Sequence, residues 1–531
     1  MKHLNKLFIK ACLCLPLLCT ACAGDYLDTT PTNAVSPSDL FKSEDYAEYA
    51  VNGLAKLMKT TYTAHSLNNV YYNGEGSIRL FYADWQGADM YIPLNNYYTI
   101  FNGASHAIPS SLFTVYPWHY YYKIVSNANT ILSEVNPEAS SRFKYIYAQA
   151  LTYRAFSYLQ LLQFYAPRWC DSNNGAADGV VLRLETSAEE CPIASMAACY
   201  QQVYNDLDRA IALYQASGRS RAAGETHKIN IDAAYAIYAR AALTREDWET
   251  AAHYAALART GYPLMSNDEY LNGGFSTANQ EWIWSIYDSI EETLGNSSYA
   301  VRLAYNSDNL LMKNYPPCIN KMLYDKLPAS DIRRQLWLNP YDEEGNALPY
   351  YTHATANYNG RAKADLDAYA RRVHPDIPAS NYVFAYMSFK FKCLDGLGVM
   401  PYSLFRSAEM YLIEAEADCH LTPAKETEAQ QLLNALVRDS GRDASYNCTA
   451  TGQALLDEIK FQRRIELWGE GFSWFDYKRR RDTIDDRISS ANGGNYLNSS
   501  AVVITPEYAN NWMWVIPEKE TNFNDGLYPE E

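Results

Sequence analysis

The sequence predicts a mainly α-helical fold: stacked helix pairs, interrupted by an irregular, loop- and short-strand-rich aromatic insertion. Three observations point there. Apolar residues recur at three- and four-residue steps from Ser43 to Arg259 and again from Leu404 to Lys478. Small residues, mostly alanine, stand where paired helices would touch. Between about 275 and 400 the periodicity gives way to Tyr, Asn, Gly and Pro. With 531 residues the chain has room for two or more packed units or one extended array, and 48% hydrophobic against 20% charged residues argues against disorder.

The elements follow in order. Residues 1–21 carry Lys2, Lys6 and Lys10 ahead of the apolar or small run Ala11–Ala21, a secretory n-region and h-region too short to span a bilayer. Leu18-Cys19-Thr20-Ala21-Cys22 is similar to a bacterial lipobox, in which Cys22 would be lipidated and become the first residue. The alternative is an ordinary signal peptide cut after Ala21 or Ala23. Asp25–Ser38 is an extended lead-in, with Pro31 and Pro37 denying it a helix. Ser43 then caps a helix whose stripe is Tyr46, Tyr49, Ala50, Gly53, Leu54 and Leu57. Long helices are expected over Trp118–Val135, Arg142–Tyr165 (stopped by Pro167), Met196–Tyr214 and Ile231–Leu243, and over Trp248–Arg259 behind an Asp247 cap. Trp282–Tyr287 reads as a strand and Tyr382–Lys392 alternates similarly. Helices resume over Leu404–Cys419, Ala424–Asp439 and Ala454–Lys478, and the last 50 residues turn loop-like.

A formal charge of −16 repels phosphate backbones, so nucleic acid is excluded as a partner. Forty-six Tyr, 17 Phe and 11 Trp exceed what a core needs, and suit a surface that binds something half-wet. Beyond Cys22 seven cysteines remain, an odd number whose spacings match no disulfide framework; Cys191 and Cys199 are the close pair, and Cys419 reads as a buried thiol. No GxSxG, HExxH, P-loop or GxGxxG motif is present, and the nine histidines are scattered, so no enzyme activity and no cofactor are expected. Asp171, Asn173, Gly175 and Asp178 loosely resemble a calcium loop, but Leu182 stands where its glutamate would be.

Ala233–Leu243 followed by Asp247-Trp248-Glu249-Thr250-Ala251 resembles the helix–turn–helix of tetratricopeptide repeats, and Phe405–Ala417 has a similar look. Several segments, in order, resemble one family, the SusD/RagB outer-membrane lipoproteins. These are Asp25–Pro31, Trp118–Asn129, Ala148–Tyr165 with Arg154-Ala155-Phe156-Ser157-Tyr158, 233–243, and Arg406–Ala417. The strongest is Arg463–Arg479, similar to the family's carboxy-terminal block, with Arg463 where Glu is commoner and Ser473 where Arg is expected; Trp514–Glu520 with Asn522 is similar to its closing motif. Within that block Arg463, Glu466 and Glu470 are read as one helix face in an ion network that closes the bundle, and Arg406, Glu409, Glu414 and Glu416 as structural charges.

The resemblance implies a tetratricopeptide-like helix-pair scaffold in five parts. These are a lipoprotein signal peptide (1–21), a lipidated extended lead-in (22–42), an amino-terminal helical region (43–275), an irregular ligand-binding insertion (276–401), and carboxy-terminal helices with closing loops (402–531). It also implies a non-enzymatic protein held in the outer membrane by palmitate-type acyl chains and facing the exterior. Such a protein captures a glycan for a partner TonB-dependent, SusC-like transporter. Sugar rings lie on aromatic faces while polar side chains bond their hydroxyls. Two windows fit: Tyr82–Tyr91 continuing to Tyr98, and 282–306. The candidate ligand contacts are Trp85, Asp89, Tyr97, Tyr98, Tyr287 and Tyr305, with one of Trp282 and Trp284 packed beneath the insertion because a strand alternates faces. A peptide-binding member of the family and a structural repeat scaffold are the alternatives.

Overall fold

Short polar side chains start most of the long helices in the computed structural model, which describes residues 40–60, 73–93, 100, 102, 104–187, 189–339, 341, 344–345, 357–358 and 361–528. The signal segment, Cys22 and the lead-in lie outside the described residues. The α-helices of seven residues or more are α1 (Glu44–Leu57), α2 (Leu112–Glu134), α3 (Ser141–Tyr165), α4 (Met196–Ser217), α5 (Ile231–Thr244), α6 (Trp248–Arg259), α7 (Lys363–Val373), α8 (Ser407–His420), α9 (Glu426–Asn434), α10 (Gly452–Glu466) and α11 (Ser473–Arg479). The side chains of Ser111, Ser140, Ser195 and Asn230 accept backbone N–H bonds at the starts of α2 to α5, replacing partners that a first helical turn lacks. Two expected caps do not form. Ser43 precedes α1 without a side-chain cap bond, and the Asp247 carboxylate instead accepts the Tyr204 hydroxyl at 3.1 Å.

Neighbouring helices pack in series, α2 on α3, α3 on α4, α4 on α5, α5 on α6, α6 on α8, and α8 on α9 and α10. The stripe of alanines along α5 (Ala233, Ala234, Ala236, Ala239, Ala241 and Ala242) is fully buried, which lets its neighbours approach closely. α2 begins six residues before the expected start and contains Pro117. There the Tyr165 hydroxyl accepts from the Trp118 N–H at 2.9 Å and donates to the Thr114 carbonyl at 2.5 Å, bridging the pair that an uninterrupted helix would join directly.

Four two-stranded antiparallel ladders complete the fold: β1 (Met90–Tyr91) with β5 (Cys318–Ile319), β2 (Asp178–Val181) with β3 (Ile193–Ser195), β4 (Trp282–Ile286) with β8 (Tyr402–Arg406), and β6 (Asn357–Tyr358) with β7 (Arg361–Ala362). The β4–β8 ladder pairs Trp282 with Arg406 and Ile286 with Tyr402. It therefore clips together the entry and exit of the long excursion between α6 and α8. β8 corrects the expectation of a helix from Leu404: five consecutive buried residues there form a strand covered on both faces. All five residues of β4 are buried, Trp282 and Trp284 among them, so neither of its faces is outward. Tyr382–Lys392 makes isolated bridges at Met387, Ser388 and Phe391 and no continuous strand.

The expected helix over Ala454–Lys478 is two helices. Gly469 and Gly471 adopt φ of +75° and +87°, and a Cβ on either would come within 2.8 Å of the Phe391 ring or of Arg79. This break carries Glu470 away from Arg463, which turns to Asp476 (2.5 Å). The ion network forms with other partners. The Arg406 guanidinium meets Glu281 at 2.6 Å, Glu466 at 2.9 Å and Glu470 at 2.8 Å, and Lys390 meets Glu470 at 2.7 Å, all of them buried. Burial alone would raise the Glu466 and Glu470 carboxyls, but Arg406, aided by Arg333 at Glu466 and by Lys390 at Glu470, holds both down to about 2. The other helix charges also pair structurally, Glu409 with Arg240 (2.7 Å), Glu414 with Arg259 (2.6 Å) and Glu416 with Arg479 (2.5 Å).

The aromatic excess builds the interior. Eight of the 11 tryptophans are fully buried, and Trp474 stacks on Trp512 at 4.3 Å where the closing loops cover α11. The seven cysteines from Cys170 onward are free thiols, Cys191 and Cys199 included. Among the described residues no helix is long and apolar enough to cross a membrane.

Candidate functional site

Of the two aromatic windows, the described part of the first, residues 82–93, is buried and structural. Residues 78–84 wind as a π-helical turn, and Trp85 at its end is 1% exposed, its ring edge-on to Phe81 at 4.7 Å and the Arg302 guanidinium 5.8 Å from its centre. Asp89 is buried as well. Its carboxylate accepts from Arg464 Nε (2.7 Å) and Ser473 Oγ (2.9 Å), and its carbonyl from the Trp468 indole N–H (2.8 Å). Burial raises the Asp89 carboxyl and Arg464 opposes that rise. Trp85 and Asp89 are thus corrected as ligand contacts: Trp85 is packed between Phe81 and Arg302, and Asp89 is spent joining the amino-terminal segment to the carboxy-terminal block. Ser473, the departure from the family's arginine, is what fits there, because a Cβ on Gly87 would lie 2.1 Å from its Oγ. Tyr305 is corrected too; it is 8% exposed, edge-on to Phe389 at 5.2 Å and near His374. Tyr97 and Tyr98 lie outside the described residues.

Tyr287 is different. It follows β4, is 53% exposed, and stands at a surface cleft of about 640 Å³. One wall is the end of α1, with Asn52, Lys56, Lys59 and Thr60; another is the rim Glu291–Leu294; His227 and Lys228 close the third side, and buried Tyr153 and Trp284 form the floor. The His227 ring lies 5.3 Å from that of Tyr287, at 51°, so two rings of different tilt line one side. Burial keeps the half-buried His227 imidazole below its ordinary value, against the pull of Glu225. Ion pairs fix the opposite wall: Lys59 binds Asp288, whose other oxygen accepts from the Met400 N–H at 2.9 Å, and Lys56 binds Glu292 at 3.2 Å. Ser285 and Thr226 join hydroxyls at 2.8 Å behind Tyr287. Lys56, Lys59 and His227 were not singled out by sequence reasoning, and no motif marks them, since the lysines come from the end of α1 and the histidine from the turn before α5. An exposed ring, a second ring beside it and a rim of carboxylate, ammonium and hydroxyl groups can hold a polar ligand with an apolar face.

In the loop that loosely resembles a calcium site, the Asp171 carboxylate is taken by Arg168 (2.6 Å) and Arg481 (3.3 Å), and Asp178 begins β2. Among the described residues no group of three or more His, Cys, Asp or Glu is placed to hold a metal ion.

A serial helix-pair scaffold with a clipped insertion thus carries an open, ring-walled cleft. Comparison with known families identifies the class of protein with this fold. Residues 25–243 match the model described as "starch-binding associating with outer membrane", and residues 396–529 match the SusD family model. Solved structures share the fold. A SusD-like carbohydrate binding protein from Bacteroides vulgatus is 22% identical with a TM-score of 0.70, the alignment covering 92% of this chain and 98% of that one. A SusD superfamily protein from Bacteroides thetaiotaomicron is 21% identical, at 0.68 over 92% and 100%. A SusD-like carbohydrate binding protein from Bacteroides fragilis is 18% identical, at 0.66 over 92% and 99%. No curated protein matches. The chain belongs to the SusD/RagB-like family.

Proposed function

We propose that this protein is a cell-surface, lipid-anchored receptor that captures a glycan and passes it, chemically unchanged, to a TonB-dependent, SusC-like transporter in the outer membrane. The observation that carries the reading is the exposed Tyr287 ring beside His227 over a cleft rimmed by Lys56, Lys59, Lys228 and Glu292. A pyranose can set its C–H face on the ring while the rim bonds its hydroxyls, and no nucleophile is needed. Relatives described as carbohydrate binding, and a family model described as outer-membrane associated, support the same reading. Anchoring at Cys22 and a ligand-binding insertion over 276–401 belong to the proposal, the latter supported by the β4–β8 clip at its neck.

Calorimetric titration of the mature protein against neutral oligosaccharides tests it. At least one should bind, with no hydrolysis, and Tyr287→Ala should weaken that binding by about tenfold, equivalent to about 1.4 kcal/mol, while leaving the melting temperature unchanged. If no saccharide binds, or a bound one is hydrolysed, the reading is wrong. If a peptide binds in place of every saccharide, the cargo is peptide.

A further inference from the structure

A second cleft, of about 760 Å³, shares no lining residue with the first. Its size lies within the roughly 300–1,000 Å³ usual for small-ligand sites. One wall is the outer face of α2, where His119, Lys123 and Asn127 follow one another at four-residue steps and so project side by side. The facing wall is the strap 183–187. The buried Asn129 amide ties that strap down by donating to the carbonyls of Arg183 (2.9 Å) and Glu185 (3.4 Å), while its oxygen accepts from Arg154 at 2.9 Å. The third wall is Pro517–Glu520. Trp118 and Tyr122, with ring centres 4.8 Å apart, line the base.

The charges are unevenly satisfied. Glu520 is fully engaged, accepting from Arg183 (3.0 Å) and Asn524 (2.9 Å) on one oxygen and from the Trp118 indole N–H (3.2 Å) on the other. That leaves the exposed Lys123 and Lys519, from opposite walls, with no carboxylate partner among the described residues; Glu185 is the acid lining the cleft that Arg183 and Glu520 do not already balance. In a chain with a formal charge of −16, two such ammonium groups facing one fixed, ring-floored cleft are the exception.

We infer that this cleft is a second saccharide site, selective for sugars that carry an anionic group, carboxylate or sulfate, which Lys123 and Lys519 bracket. Neutral sugars offer those lysines no opposite charge. The inference stands apart from the Tyr287 cleft and survives if that site fails.

The probes are an oligogalacturonate for the carboxylate, a sulfated dextran oligomer for the sulfate and a malto-oligosaccharide as the neutral control. Each is titrated calorimetrically into wild-type protein, the Lys123→Ala/Lys519→Ala double variant and Tyr287→Ala. At least one anionic probe should bind wild type, more weakly as salt rises, and the double variant should bind it about tenfold more weakly or worse. Tyr287→Ala should leave that binding intact. Both lysines are exposed, so an unchanged melting curve confirms that the double variant is folded. Failure of both anionic probes to bind, equal binding by the double variant, or loss of anionic binding in Tyr287→Ala each overturns the second site.

Discussion

Replacing Arg406 with methionine keeps an unbranched apolar stem and removes the cation that three buried carboxylates share. Breaking one buried ion pair costs about 3–5 kcal/mol. Holding a carboxyl at about 2 where an unfolded chain has about 4.5 is worth about 3 kcal/mol per group, and Arg406 is the leading partner of both Glu466 and Glu470. Lys390 and Arg333 remain to share the load, so the expected loss is about 5 kcal/mol. For a chain of 531 residues the unfolding entropy is about 1.1 kcal/mol per degree, which converts the loss to a drop of about 4–5 °C in melting temperature. Acid supplies a second readout. Because their folded values lie below the unfolded ones, Glu466 and Glu470 stabilise wild type above about pH 4.5, and that contribution drains away as pH falls toward about 2. In Arg406→Met the same carboxyls lose their main cation and take up protons more readily, so acid costs the variant less. Scanning calorimetry at about pH 7 and about pH 4 should therefore show the gap between the proteins narrowing in acid. A drop below about 1 °C at neutral pH, or a gap that widens in acid, would refute the account of the network.

Other expectations follow from the same packing. Gly87→Ala should destabilise by about 2–3 kcal/mol, since its Cβ meets Ser473 Oγ at 2.1 Å, and adding Ser473→Gly should recover part of that loss in a double-mutant denaturation cycle. Lys478→Met removes the ammonium that donates to the carbonyls of Gln163 (2.6 Å), Phe164 (3.2 Å) and Ala166 (2.8 Å) at the end of α3; urea melts should show about 3 kcal/mol less stability. Among the seven thiols from Cys170 onward, Cys170 is the exposed one, and mass-mapped alkylation of the native protein should label it first and Cys199, Cys318 and Cys393 only after unfolding.

The helical part of the fold was legible because each long helix carries its own instructions. Ser140 and Pro167 bracket α3, and the alanines of α5 announce a close-packed partner, all within a few residues of one another. The errors fall where the deciding partner is remote. Leu404–Arg406 reads as the start of a helix because burial on both faces erases strand alternation, and only β4, more than a hundred residues earlier, makes Tyr402–Arg406 a strand. Gly469 and Gly471 break a helical pattern whose charges alone suggested continuity. The candidate site suffered most. Trp85 and Asp89 sit among aromatic and polar neighbours that look alike on a binding loop and inside a core; the difference is made for Trp85 by Arg302, and for Asp89 by Arg464 and Ser473, nearly four hundred residues away. Tyr287 was visible as an aromatic at a strand end, whereas Lys56, Lys59 and His227 reach it from segments with no shared signature.

The knot of charge around Arg406 also fixes when the molecule can close. Glu281 waits for Arg406, and Arg406 for Glu466 and Glu470, 60 and 64 residues further along. A polypeptide appearing amino terminus first must therefore stay open along its middle until residue 470 is out, and nascent chains halted before Glu466 would be cut by protease where finished molecules resist.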